Sequence, residues 1–297
     1  MAPLHALAFD PAEAFTAELM ANGYCVVPDA APRATLAALA ADLQPVFERT
    51  RFCVGDFYGE RTKRVGSLLT RSRHAAGFVQ HPLILSIAER VLKPWCDTLQ
   101  LNLTQGIELH PGAPRQFPHR DQDMWAGAKG EIEYLINVMW PFTPYREANG
   151  ATLVYPDSHG ARARDPDEPE GRFAAELDPG SALIFLGSTL HGAGPNRSGS
   201  VRRGMIVSYC LGWLKPYENQ WLAYPPAVAR HFPKDLAALI GYRQHRPNLG
   251  NYEGQCPSIL LQDGLPEQLG AIDALRPDQA GMAAEWRRSL EAEGAAS

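Results

Sequence analysis

Apolar residues recur at helical spacing early in the chain and in short unbroken runs later, so the two stretches predict different structure. Residues 11–19 read as a short helix, opened by Asp10 as N-cap with Pro11 at the first helical position. Residues 23–28 (GYCVVP) read as a strand rich in β-formers and closed by proline. Leu36, Leu39, Leu43 and Phe47 recur three to four apart, which predicts a second helix over 32–50, and a third covers roughly 82–92. After about residue 96 the texture changes. LQLNLTQGIEL, EIEYLINVMW, ATLVY, SALIFLG and GMIVSYCLGW follow one another, each bounded by Pro, Gly, Asn or Asp. Short strands at that spacing, with no helix-length amphipathic segment between them, predict an all-β sandwich or barrel rather than a doubly wound sheet. The stretch 162–171 (RARDPDEPEG) suits an exposed loop, and residues 278–293 return to helix. The simplest organisation is one domain over 1–297: a helical part to about 96, a β-core over 97–214 and an extension over 215–297.

Composition narrows the function. With 45% hydrophobic and 21% charged residues the chain can bury a large core, which excludes a mostly disordered protein. Its 28 basic and 33 acidic side chains give a formal charge of -5, so no basic face suggests nucleic acid as a partner. Five cysteines, scattered and without a C-x-x-C pair, disfavour both a disulfide framework and a thiolate zinc site. The N-terminus carries acids early and lacks a signal-peptide pattern, and no apolar run approaches the ~18 residues of a membrane span. A soluble, cytoplasmic protein acting on a small molecule is expected.

Candidate chemistry starts at His119-Arg120-Asp121. On an extended segment, side chains at i and i+2 share a face, so imidazole and carboxylate can converge on one ion. Alone the pattern means little: nine histidines, each with a roughly one-in-twenty chance of Asp two residues on, give about half an H-x-D by accident. The second feature is His191, in SALIFLGSTLHGAGPNRSGSVRRGMIVSYC. A reversal centred between Asn196 and Arg197 sets His191 opposite Arg202 across a hairpin. Arg202 then shares a face with Gly204, Ile206 and Ser208, whereas Arg203 shares the other face with Met205, Val207 and Tyr209. Period-2 geometry therefore selects Arg202 as the inward arginine. Two histidines and one carboxylate form the facial triad of non-haem Fe(II) oxygenases. Three protein ligands leave three octahedral positions, enough for a bidentate oxo-acid and dioxygen, and the oxo-acid's far carboxylate needs a fork-shaped, permanently charged partner such as arginine.

These residues resemble the phytanoyl-CoA dioxygenase family of Fe(II)/2-oxoglutarate oxygenases. The resemblance runs over roughly residues 13–220 and rests on NGYCVV, QFPHRD, NGATLVYPDSH and HGAG with Arg202 eleven residues after His191. GERTKRVGSLLTRS and GWLKPYENQ are similar to the branch holding fungal and bacterial natural-product oxygenases, and the latter segment points by resemblance to a homodimer. The family implies a mainly β protein with flanking helices: a double-stranded β-helix (jelly-roll, cupin-like) core carrying iron at the barrel mouth. His119, Asp121 and His191 would ligate iron, and Arg202 would pair with the distal carboxylate of 2-oxoglutarate, with O2 as the other cosubstrate. Gln116 matches a residue near the cosubstrate, a role that needs a bulge at Pro118 because alternation puts it opposite His119. Thr152 would add a hydroxyl to the same carboxylate. One departure stands out: Pro156-Asp157-Ser158-His159 occupies a place where the family often has P-G-S-H, and Asp enters a left-handed turn less readily than Gly. Halogenases of the wider class replace the ligand carboxylate with a small residue, so Asp121 implies oxygen insertion or another radical oxidation, with hydroxylation as the default.

Two rival readings remain open at this level. A cupin-like metal enzyme without 2-oxoglutarate would not depend on Arg202, and a silent ligand-binding barrel would keep its ligand affinity without His119 and Asp121. Other candidates read more blandly. His110 and His159 fall in turn-like sequence and are expected to be structural or solvent-facing. Trp125 and Trp213 are expected in the core more readily than at a substrate, as is Met124. Phe57, Tyr58, Lys63 and Arg64 form either a solvated loop or a cover over the site, where Arg64 could meet an acidic group. Cys210 is expected to be a small buried hydrophobe.

Overall fold

The computed structural model describes residues 10–165 and 169–296. The first nine residues, on which part of the signal-peptide reading falls, and the centre of the charged 162–171 loop lie outside the described residues. Helix α1 (Pro11–Asn22) starts as its sequence requires, with Asp10 accepting from the Ala12 amide at 2.9 Å. Strand β1 (Tyr24–Val27) follows, then α2 (Arg33–Arg49), β2 (Thr62–Val65), α3 (Ala75–Val79) and α4 (Pro82–Leu92). The β-region holds β3 (Leu99–Leu109), β4 (Leu135–Pro141), β5 (Thr152–Val154), β6 (Phe173–Ala174), β7 (Ala182–Leu186), β8 (His191–Ala193) and β9 (Arg202–Leu211). Short helices α5 (Gln220–Ala223), α6 (Pro226–Ala229) and α7 (Lys234–Leu239) come next, followed by α8 (Pro277–Ala296), which is exposed over 280–294.

Two antiparallel sheets form the jelly roll. Six strands run in the order β1-β7-β4-β9-β3-β2, and three in the order β6-β5-β8. The large sheet is covered on both faces, which explains why its strands read as unbroken apolar runs. Ile184 of β7, Val138 of β4 and Val207 of β9 face the helices and share one core cluster with Leu36, Leu39, Leu43 and Phe47 of α2. Their neighbours Leu183, Phe185, Met139 and Ile206 face inward and share a second cluster with Val154 of the small sheet. Phe47 lies against Gly106 of β3, where any Cβ would come 2.9 Å from the ring. Phe47→Ala is expected to cost about 3–5 kcal/mol, read as a lower denaturation midpoint.

Two expectations need correction. The run 181–191 is not one strand: it turns at Gly187–Leu190, and His191 opens β8 in the other sheet. Consequently His191 and Arg202 do not face each other across a hairpin. β8 pairs with β5, whereas β9 pairs with β3 and β4. The Gly-, Pro- and Asn-rich stretch between them is a crossing from one sheet to the other. The predicted bulge at Pro118 is also absent, because residues 113–118 run outside any ladder. The Pro-Asp-Ser-His turn, by contrast, holds: Asp157 adopts the left-handed conformation, φ +57°.

Candidate metal centre and cosubstrate pocket

His119 is anchored by backbone. Its amide donates to the His191 carbonyl at 2.9 Å and its carbonyl accepts from the His191 amide at 3.0 Å, so the two histidines form an antiparallel bridge beside β8. Their rings stand 4.4 Å apart. Arg120 is extended (φ -114°, ψ 124°), which returns Asp121 to the face of His119 at the start of a short 3-10 turn. The Arg120 side chain donates to the carbonyls of Ser188 and Ser158. The three side chains converge. Asp121 Oδ1 lies 3.4 Å from His119 Nε2, Oδ2 lies 3.5 Å from His191 Nε2, and the three ligand atoms fall within 4.8 Å of one another. Among the described residues no other group of three such side chains meets in this way.

The donor chemistry fits a divalent ion. His119 Nδ1 lies 2.9 Å from the Phe117 carbonyl, and His191 Nδ1 lies 3.0 Å from that of Thr189. A carbonyl can only accept, so both Nδ1 atoms carry a proton and Nε2 is the nitrogen that each ring turns to the centre. Burial pushes the His191 imidazole down to about 4, against the pull of Asp121, and keeps it neutral near pH 7. Burial alone would raise Asp121, but His191, His119 and Arg64 outweigh it and hold the carboxyl below the usual range. Asn137 of β4 donates to Asp121 Oδ2 at 2.9 Å.

This cluster lines a cavity of about 350 Å³ that also takes in Gln116, Thr152, Arg202 and Arg64. Arg202 is 2% exposed and sets its guanidinium carbon over Tyr145, 4.4 Å from the ring centre. Gly204 makes room for that tyrosine, since a Cβ there would sit 2.0 Å from its hydroxyl and 2.7 Å from the Trp140 carbonyl. The Arg202 Nε is buried without a hydrogen-bond partner among the described residues. That orphaned cation is what a dicarboxylate would complete. Its neighbour Arg203 turns to the helix side, bonding Glu108 at 2.6 Å and Gln44 of α2 at 2.6 Å. Gln116 bridges two elements, accepting from the Ala193 amide at 3.1 Å and donating to the Phe57 carbonyl at 3.2 Å. Thr152 is buried opposite Ala193.

The residues left between loop, core and cover divide between the cavity and its surroundings. Phe57, Tyr58, Met124 and Arg64 line the cavity, whereas Lys63, Trp125 and Trp213 do not. Phe57 packs edge-on against His119, 4.7 Å away, and the Tyr58 and Tyr217 hydroxyls bond each other. Arg64 is half-buried beside the site, bonds Gln105 at 2.8 Å and sets its guanidinium over the Tyr58 ring; desolvation lowers its affinity for its proton, which the nearby Tyr217 and Asp121 counter. His110 pairs with Glu108 and His159 with the Met20 carbonyl, so neither joins the triad. Cys210 is buried in the core. Asn137 and Tyr145 escape the sequence reading. A lone amide inside the apolar run LINVMWP was the available signal for the first; nothing local marks the second.

A jelly roll with two imidazoles and a carboxylate turned onto one point of its interior defines the class of non-haem metal enzymes. The family follows from sequence comparison. The chain belongs to the phytanoyl-CoA dioxygenase (PhyH) family, whose model matches residues 19–204. It is 30% identical to the dioxygenase swnH1 of Metarhizium robertsii over 292 residues, covering 89% of this chain and 93% of that protein. It is also 30% identical to the dioxygenase trt7 of Aspergillus terreus, covering 62% of this chain and 66% of that protein. Among solved structures, the non-heme alpha ketoglutarate dependent epimerase SnoN from nogalamycin biosynthesis superposes with TM-score 0.58 at 18% identity, over 70% of this chain and 87% of that one. At that identity the likeness is one of fold. No helix among the described residues is long and apolar enough to cross a membrane.

Proposed function

We propose that His119, Asp121 and His191 bind ferrous iron, and that the enzyme consumes 2-oxoglutarate and O2 to hydroxylate an aliphatic C–H bond of a small organic molecule, releasing succinate and CO2. One observation carries this reading: the triad shares its cavity with a buried guanidinium, Arg202, that has no acidic partner among the described residues. Bound iron would supply the oxidising chemistry, which no protein side chain can. The chain supplies positions. Three protein ligands would leave room at the ion for cosubstrates, and the Asp121 carboxylate would bring one negative charge toward a dication.

Arg202 would receive the far carboxylate of 2-oxoglutarate, held at its angle by Tyr145 beneath and joined by the Thr152 hydroxyl. Gln116 ties the rim of the pocket to β8, and Arg64 adds a second positive charge suited to a dianion. Phe57, Tyr58 and Met124 form an apolar mouth that keeps bulk water from the centre and receives the substrate. The relatives named as dioxygenases support this reading. We place the enzyme in the cytoplasm, acting on a diffusible small molecule without nucleic acid or membrane as partner, as a single domain that forms a homodimer; light scattering on the full chain reads the last point. The functional test is succinate release from 2-oxoglutarate with Fe(II), ascorbate and air, assayed across a small-molecule panel. Succinate rising above the metal-free control supports the proposal. None above that control, with any panel member or without one, opposes it.

A further inference from the structure

Asn137 sits where an amide is out of place. It lies in the middle of β4, hydrogen-bonded between β7 and β9, and is 1% exposed among apolar neighbours. Its cross-strand partners make no bond with its side chain: Phe185 is apolar, and the Ser208 hydroxyl, which accepts from Asn102 at 3.2 Å, does not reach the Asn137 amide oxygen. The side chain makes one bond, Nδ2 to Asp121 Oδ2 at 2.9 Å, and its Oδ1 is buried with no partner among the described residues. The orientation is forced. An ionised carboxylate only accepts, so a flipped amide would set oxygen against oxygen. An asparagine kept for stability would satisfy both ends of its amide; this one satisfies only the end that meets Asp121.

We infer that Asn137 is a positioning residue of the metal site, fixing the Asp121 carboxylate so that Oδ1 is the oxygen offered to the ion. This rests on the triad reading above. Asp121 needs such a hold, because it stands at the start of a single 3-10 turn after irregular chain, whereas Asn137 belongs to a central strand. Engaging Oδ2 also keeps the carboxylate to one coordination position, since a carboxylate binding through both oxygens would take two of the places cosubstrates need.

The test is Mn(II) titration of the full-length protein under argon, with free Mn(II) read by electron paramagnetic resonance, beside thermal melting of the metal-free protein. Asn137→Val keeps a strand-forming shape without a donor. It is expected to raise the Mn(II) Kd about tenfold to a hundredfold, with the metal-free Tm within about 2 °C of the parent because an unpaired buried acceptor leaves with the amide. Asn137→Ser, which keeps a donor and room for a bridging water, is expected to lose less. A Val variant with Mn(II) affinity within twofold of the parent overturns the inference. So does a Val variant that loses affinity only together with a metal-free Tm drop of about 5 °C or more, which marks a structural residue. A parent protein that takes up no Mn(II) refutes the triad reading itself, and this inference with it.

Discussion

The doubly substituted His119→Ala, Asp121→Ala protein is expected to lose metal binding by more than about a hundredfold, beyond the range typical of losing an outer hydrogen-bond partner. It should also give no succinate above background. The geometry explains the size of the effect. Three ligand atoms within 4.8 Å of one another make a chelate, and removing two leaves a single imidazole, His191, that cannot hold a divalent ion alone. Both substituted side chains are partly exposed at the cavity, so their loss leaves the packed interior of the roll intact. Melting of the metal-free variant near the parent temperature therefore accompanies the loss of metal. Retained affinity for 2-oxoglutarate in the presence of Mn(II) would instead favour a silent ligand-binding barrel.

Two adjacent arginines provide the second large effect, in opposite directions. Arg202→Ala is expected to weaken 2-oxoglutarate binding by at least about a hundredfold, because two charge-assisted bonds at about 1.5–3 kcal/mol each disappear. Mn(II) affinity should be unchanged. Arg203→Ala is expected to leave 2-oxoglutarate affinity alone and to cost about 2–3 kcal/mol of stability. That is below the ~3–5 kcal/mol typical of breaking a buried pair, since Arg203 is partly exposed and Glu108 keeps His110 as a partner. Calorimetric titration and chemical denaturation of the two variants read both quantities. Equal cosubstrate affinity in the two would remove Arg202 from the pocket's function and favour a metal enzyme that does not use 2-oxoglutarate.

What the sequence reveals depends on whether a feature is local. The α2 helix is legible because its apolar stripe faces one partner, and the β-runs are legible because both faces of the large sheet are covered. Alternation along β9 separates Arg202 from Arg203 without any knowledge of the partner strands. The path from His191 to Arg202 is not legible in this way. A short glycine- and proline-rich stretch reads as a hairpin by local rules, yet here it carries the chain between sheets, and only long-range pairing with β5 and β3 decides it. The inward face of Arg202 survives that error because it depends on parity within β9, not on what lies across from it. Gln116 illustrates the reverse case: a bulge was required to explain its orientation, whereas the absence of any ladder over 113–118 achieves it more simply. Arg64 stays between a solvated loop and a cover over the site because no linear pattern reports that β2 pairs with β3 at the cavity wall. Asp157 shows local preference yielding to context, its left-handed turn being kept although glycine would adopt it more readily.

The central claim is that four side chains from separate parts of the chain hold one ferrous ion and one molecule of 2-oxoglutarate together. Anaerobic addition of Fe(II) and then 2-oxoglutarate to the full-length protein, followed by visible absorption, tests it most directly. A weak metal-to-ligand charge-transfer band that saturates at one equivalent of each, and is absent from the His119→Ala, Asp121→Ala protein, is the predicted result. A parent protein that develops no such band with both components in excess would contradict the account.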